Sequence, residues 1–172
     1  DVVIGHPLIE EVIVVDDGST DGTKEILRDM VGITFIEHEK NQGKSKAVYD
    51  GITRAKSEFL LLLDADLMGL TADHLTHLIE PVVEGEADVS ISLRGSTPNF
   101  WKYIGLDYIS GERVFKKSLI KKEVAQIPQL RGFGLEVFLN RIIIASKSSI
   151  KVVLCKEVAS PVKYRKYFNF FN

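Results

Sequence analysis

The chain has 172 residues, 45% of them hydrophobic and 27% charged, with a formal net charge of −2, which suits one soluble globular domain with a proper core and is short for two. The near-neutral balance excludes a general attraction to nucleic acid, and the single cysteine, Cys155, excludes an internal disulfide and any zinc site built from several thiolates. No apolar run reaches the ~18 residues needed to span a bilayer, and no signal peptide is visible.

Val12 to Val15 is a β-branched run that halts at Asp16-Asp17-Gly18-Ser19, the pattern of a buried strand opening into a turn. From Asp21, a candidate N-cap, the spacing of Ile26, Leu27 and Met30 predicts a helix with one inward face. A short strand is expected over 33–37, followed by the turn Asn41-Gln42-Gly43. A helix then runs over 44–56 with Ala47, Val48, Ile52 and Ala55 inward. Phe59 to Leu63 is apolar without alternation, as in a parallel strand covered on both faces. Thr71 opens a helix with the stripe Leu75, Leu78, Ile79 and with Pro81 near its end; Val89 to Leu93 is a fourth strand. This alternation predicts an α/β fold with a mostly parallel central sheet flanked by helices. After Arg94 the rhythm weakens through Pro98, Trp101 and Tyr103. A basic helical segment is expected over 115–125, a helix from Gly132-Phe133-Gly134 to Ser146, and a last strand over 152–154. The tail YRKYFNFFN is aromatic and basic. No internal repeat or linker interrupts residues 1–172, so a single domain is expected.

The chemistry concentrates at strand ends. Asp64 and Asp66 follow four leucines, at the C-terminal edge where ligands bind in open α/β sheets. Residues two apart on extended chain point the same way, so both carboxylates can face one crevice. Hard oxygen donors there suit Mg²⁺ or Mn²⁺ with phosphate oxygens completing the shell. They would equally serve as a solvated turn or helix cap. Asp16-Asp17 forms a second acidic pair at a strand end, and an ionised aspartate can accept N–H donors from a uracil or guanine edge; the same residues suit a turn. Lys44 stands at a predicted helix start, where free N–H groups and the dipole favour anions; a solvent-facing lysine is the plain alternative.

VIVVDDGSTDGT, the NQGK turn and LLLLDADL, in that order, resemble family 2 glycosyltransferases of the GT-A (Rossmann-like nucleotide-diphospho-sugar transferase) fold. ISGERVFKKS and GFGLEVFLNR are similar to the branch that includes dolichyl-phosphate mannose synthases and glucosyl-3-phosphoglycerate synthases. The resemblance covers roughly residues 10 to 165. It implies a metal-dependent transfer of a sugar from a UDP- or GDP-linked donor to a phosphorylated acceptor, either a polyprenyl phosphate or a small phospho-acid. Carried over by position, it places the nucleobase at Asp17 with Asp16 beside it, and the nucleotide at Lys44. It gives Asp64 and Asp66 ribose and metal contacts, with Asp66 the direct ligand of Mg²⁺ or Mn²⁺. Arg113, with Arg94 as second candidate, would meet the acceptor phosphate, and Gly132, Phe133, Gly134 and Glu136 would line the sugar and acceptor pocket. A guanidinium grips phosphate in a bidentate manner, while Arg113, Lys116 and Lys117 would otherwise form a solvated helix face. Glu136 would hydrogen-bond sugar hydroxyls, since a phosphate acceptor needs no base; a plain helix-surface glutamate is its alternative.

Three features depart from the family's pattern. The usual first strand with its nucleotide loop does not appear before residue 10. EVASPVKYRK offers Ser160 where related enzymes often place a metal-binding histidine. Met68 follows DADL where some polyprenyl-phosphate enzymes have glutamine. The KYRKYFNFF tail would favour a lipid acceptor if it met a membrane surface. A cytoplasmic location, at the membrane face for a lipid-linked acceptor, is expected, with a homodimer as a further partner. The competing expectation is a nucleotide-binding or regulatory domain of the same fold that has lost turnover.

Overall fold

The computed structural model describes residues 2–95 and 110–160. The stretch with Pro98, Trp101 and Tyr103 and the aromatic, basic tail lie outside them.

The strands are β1 (Ile13–Asp16), β2 (Thr34–Glu37), β3 (Phe59–Leu62), β4 (Val89–Arg94), β5 (Arg113–Lys116) and β6 (Ile150–Cys155). The helices are α1 (Thr23–Arg28), α2 (Lys44–Arg54), α3 (Ala72–Val83) and α4 (Gly134–Ala145), with 3₁₀ turns at Lys117–Ile120 and Val124–Gln129. The first half follows the sequence pattern closely. Thr71 caps α3 in a reciprocal capping box with His74, an arrangement typically worth ~1 kcal/mol. Leu75, Leu78 and Ile79 are buried on its inner face. In α2, Ile52 is buried, with Val48 and Ala55 packed against the same core.

Two expectations fail. The helix after Asp21 has six residues and buries none of them; Ile26 is 67% exposed. Its N-cap is Gly22, and the Asp21 carboxylate instead accepts hydrogen bonds from the Thr23 N–H (3.2 Å) and hydroxyl (2.6 Å). The basic segment near 115 is not a helix. Arg113–Lys116 is a strand, antiparallel to both β3 and β4 and inserted between them in the order β3-β5-β4-β6, whereas β4 and β6 are parallel. Its interior, Val114 and Phe115, is buried on opposite faces, and it takes the slot because its short apolar centre completes two cores at once. The fold is α/β with a partly parallel sheet.

β1 and β2 form a separate parallel pair. β1 and β3 nevertheless run in the same direction, because their ends are tied alike. At the starts, Glu11 accepts the backbone N–H groups of Lys56 (2.6 Å) and Ser57 (3.0 Å). At the finishes, Asp17 accepts the N–H of Gly43, the N-cap of α2, and Asp64 pairs with Lys44, its first residue. Between the strands lies an apolar cleft of about 1130 Å³ lined by Val12–Val15 and Leu60–Leu63, with α2 beside it. Among the described residues no helix is long and apolar enough to cross a membrane.

Candidate active site

The site sits where β1 and β3 end and α2 begins. The β1 strand stops because Gly18, at φ +77°, turns the chain back against the Lys40–Asn41 backbone; a Cβ there would lie 2.6 Å from Asn41 N. Asp16 is buried and its Oδ2 accepts the Ser19 N–H at 3.1 Å, so it holds the turn. Asp17 reaches across. Its Oδ1 accepts the Gln42 N–H (2.8 Å) and its Oδ2 the Gly43 N–H (2.7 Å), which fixes the loop leading into α2.

Lys44, the first residue of α2, bridges two carboxylates: its Nζ lies 2.8 Å from Asp64 Oδ1 and 2.8 Å from Glu136 Oε1. Burial pulls the ammonium's pKa down, but Asp64 and Glu136 together outweigh it, so the group stays above its ordinary value. Asp64 is packed against Gly111, where a Cβ would fall 2.6 Å from its Oδ2. Glu136 is only 4% exposed, in the first turn of α4, and its Oε2 has no hydrogen-bond partner among the described residues. A buried carboxylate oxygen left unpaired is costly, and a hydroxyl donor from a ligand would satisfy it. This is not a helix-surface glutamate. Asp66 is half-buried on the turn after β3, and that turn is anchored by the Met68–Ala159 bridge, with N–H···O distances of 2.9 and 3.1 Å. The bridge brings the Ser160 region beside the DADL loop.

The arginines are placed differently from the lysine. Arg113 is 1% exposed, donating to Asn140 Oδ1 (3.1 Å) and to the Ser110 carbonyl. It is a buried strut under the cleft, not part of a solvated helix face. Arg94, at the end of β4, donates to Ser160 Oγ at 2.6 Å and has its Nε 3.5 Å from buried Glu112. Glu112 also accepts from the Ser92 and Ser110 hydroxyls (2.6 and 2.8 Å). Gly132, at φ +58°, and Phe133, 54% exposed, lead into α4 ahead of Gly134, so this segment borders the site through Glu136.

Sequence reasoning missed His38. It is 7% exposed, with Nδ1 2.8 Å from Asp17 Oδ1 and Nε2 2.8 Å from Asp50 Oδ2, and Asp50 is itself paired with Lys46. The Asp17 hydrogen bond, then that of Asp50 and both charges, overcome desolvation and raise the imidazole's pKa. Burial pushes Asp17 and Asp50 up, but their hydrogen bonds and cationic neighbours hold both below the usual carboxylate value. The His38 contribution to stability is therefore complete below about pH 6.5 and is lost as pH rises through its raised pKa. Those of Asp17 and Asp50 are complete above about pH 4 and are lost as pH falls through their lowered values. Urea denaturation across this range is expected to show wild-type stability declining above about pH 6.5, and His38→Gln to remove that decline.

As a donor set, Asp64 and Asp66 offer the hard oxygens that Mg²⁺ and Mn²⁺ prefer. Asp64 and Glu136 hold the Lys44 ammonium between them, and Asp66 follows two residues after Asp64 on the turn that leaves β3, an acidic balance that suits a divalent cation. Among the described residues no group of three or more His, Cys, Asp or Glu could hold a metal on its own, so phosphate and water would complete the shell.

Comparison with known proteins identifies the family and the fold. The profile of Glycosyl transferase family 2 matches residues 6–139. The chain is 40% identical over 60 residues to poly-beta-1,6-N-acetyl-D-glucosamine synthase of Staphylococcus epidermidis, covering 33% of this chain and 15% of that protein. It is 32% identical over 99 residues to undecaprenyl-phosphate 4-deoxy-4-formamido-L-arabinose transferase of Aeromonas hydrophila, covering 53% of this chain and 29% of that protein. The chain thus spans under a third of the length of these curated relatives. In fold it is similar to glucosyl-3-phosphoglycerate synthase of Mycobacterium tuberculosis in complex with Mn²⁺, uridine diphosphate and glucosyl-3-phosphoglycerate. There the TM-score is 0.71 at 21% identity, over 89% of this chain and 61% of that one. The chain belongs to glycosyl transferase family 2.

Proposed function

We propose that this domain transfers a sugar from a nucleoside-diphosphate sugar to a phosphorylated acceptor, with Mg²⁺ or Mn²⁺ as cofactor. The observation that carries the reading is Lys44, whose ammonium is held at 2.8 Å between Asp64 and Glu136 at the N-terminus of α2. An arriving diphosphate would find there a cation, the helix dipole and the first-turn N–H groups together.

Asp17 faces the nucleobase. An ionised carboxylate has about four acceptor positions, and His38, Gln42 and Gly43 occupy three. One remaining position suits the single N–H of uracil better than the paired donors of guanine, so UDP is the expected donor nucleotide. A cation held by Asp66 and Asp64 would supply Lewis acidity toward the charge developing on the departing diphosphate. Lys44 adds positive charge at the same place, and Glu136 Oε2 accepts a hydroxyl of the sugar. Arg94 would meet an acceptor phosphate, with Glu112 beside its guanidinium; Arg113 supports the floor. The solved relative that binds phosphoglyceric acid and the relative named for undecaprenyl phosphate support a phosphorylated acceptor, either small or lipid-linked.

The single-domain organisation is part of the same proposal. Among the described residues β1 pairs only with β2, and β3 only with β5, so each strand turns an unpaired edge to the apolar cleft.

The test is release of UDP from UDP-sugars in the presence of Mn²⁺ and either phosphoglycerate or a polyprenyl phosphate. Acceptor-dependent release supports the proposal. UDP binding with no release from any donor would favour a nucleotide-binding domain that has lost turnover.

A further inference from the structure

We propose that His38 is a positioning residue for the nucleobase site: as an imidazolium it ties Asp17 to α2 through Asp50, and its deprotonation loosens Asp17. The inference rests on the nucleotide-binding reading of Asp17 above and adds a protonation requirement to it.

The geometry dictates the protonation state. Each ring nitrogen lies 2.8 Å from a carboxylate oxygen. Ionised carboxylates only accept hydrogen bonds, so both nitrogens must donate, and only the imidazolium has two N–H groups. A neutral ring would set a lone pair against one of the two carboxylates. The surroundings favour the cation. From β1 the ring faces Asp17, while Asp16 contributes its backbone carbonyl to the His38 N–H at 2.9 Å and turns its carboxylate to Ser19. From α2 it faces Asp50, with Lys46 on that carboxylate's other side. On its own strand Glu37 is taken up by Arg28 and Lys24.

The consequence reaches the ligand through Asp17 alone. Asp17 Oδ1 accepts from both His38 and the Gln42 N–H, so the imidazolium fixes the carboxylate plane and with it the one acceptor position left for a base. His38 touches no ligand; it sets the orientation of the group that does. Asp50 decides what happens when the ring loses its proton. A carboxylate there rejects the neutral ring's lone pair, whereas a carboxamide N–H would donate to it and keep Nδ1–H on Asp17.

The experiment is UDP binding by calorimetry from pH 6 to 9 with Mg²⁺, on wild type, Asp50→Asn and His38→Gln, alongside ¹⁵N NMR of the His38 ring. The titrations of UDP itself are common to all three proteins. Wild-type affinity is expected to fall about tenfold across the NMR midpoint of His38, beyond the change seen in Asp50→Asn. Asp50→Asn should hold its affinity over that range, and His38→Gln should bind weakly without a step. The NMR spectrum at pH 6 should show both ring nitrogens protonated. A wild-type profile that superimposes on Asp50→Asn, or a neutral ring at pH 6, overturns the role of His38. Absence of UDP binding in every protein at every pH, with a doubly protonated ring, would instead overturn the nucleotide-site reading on which it rests.

Discussion

Asp66→Ala is expected to lower kcat by about a hundredfold to a thousandfold and to abolish the metal-dependent part of UDP binding while leaving the fold in place. The reasoning starts from the turn. Asp66 lies between β3 and a loop that the Met68–Ala159 backbone bridge anchors independently of its side chain, so the alanine variant keeps its backbone frame. Asp64 has one oxygen committed to Lys44, and the proposed site gives Asp66 the direct contact with the cation. UDP at about 100 times its Kd should stabilise the wild type by about 2.7 kcal/mol, a thermal shift of roughly 5–10 °C for a chain of this length. With Mn²⁺ the variant should show little of that shift, and its unliganded melting temperature should stay within a few degrees of wild type. A variant that keeps both turnover and the metal-dependent shift would remove Asp66 from the metal site.

Gly18→Ala should produce a large loss of stability. The new Cβ would fall 2.6 Å from Asn41 N, 2.7 Å from the Lys40 carbonyl carbon and 2.9 Å from Lys40 Cα. All three are backbone atoms, which cannot swing aside as a side-chain tip can. The residue also sits at φ +77°, where a non-glycine residue pays about 1 kcal/mol or more. With an overpacking cost of about 1–3 kcal/mol, the total is about 2–4 kcal/mol, or a fall of roughly 5–15 °C in Tm. Function should suffer beyond stability. The 40–41 segment must move away, and it leads into the Gln42 and Gly43 N–H groups that Asp17 holds. At a temperature where the variant is still folded, UDP affinity should remain at least tenfold below wild type. Wild-type affinity in the folded variant would show that the turn and the base site are not coupled.

Legibility in the sequence tracks the range of the interaction. β1, α2, β3, α3 and β4 were readable because β-branched runs, the i, i+3, i+4 stripe of Leu75, Leu78 and Ile79, and the Thr71 cap are local signals. The helix after Asp21 carried the same kind of stripe, but Ile26 faces solvent, because periodicity shows that an apolar face exists and not that anything covers it. β5 was hidden by its charges. Arg113 and Lys116 flank only two apolar residues, and a buried arginine satisfied by Asn140 and the Ser110 carbonyl is a tertiary fact. The insertion of this antiparallel strand between β3 and β4 is likewise non-local. In the site, the position of Lys44 ahead of a helix was legible from NQGK. Its bridge to Glu136, 92 residues away, was not. His38 was illegible for the same reason: its partners Asp17 and Asp50 meet it only once β1, β2 and α2 are packed. The acidic strand ends were visible one by one, and only packing brings Asp17 and Asp64 to the same end of α2.

The most direct test of the account is calorimetric titration of UDP into the wild-type chain with Mn²⁺ and again with a chelator. The account predicts one saturable site per chain, at least tenfold weaker without the metal. Equal affinity in both conditions, or no saturable binding in either, would contradict the claim that the edge formed by Asp17, Lys44, Asp64 and Asp66 holds a metal-bound nucleoside diphosphate.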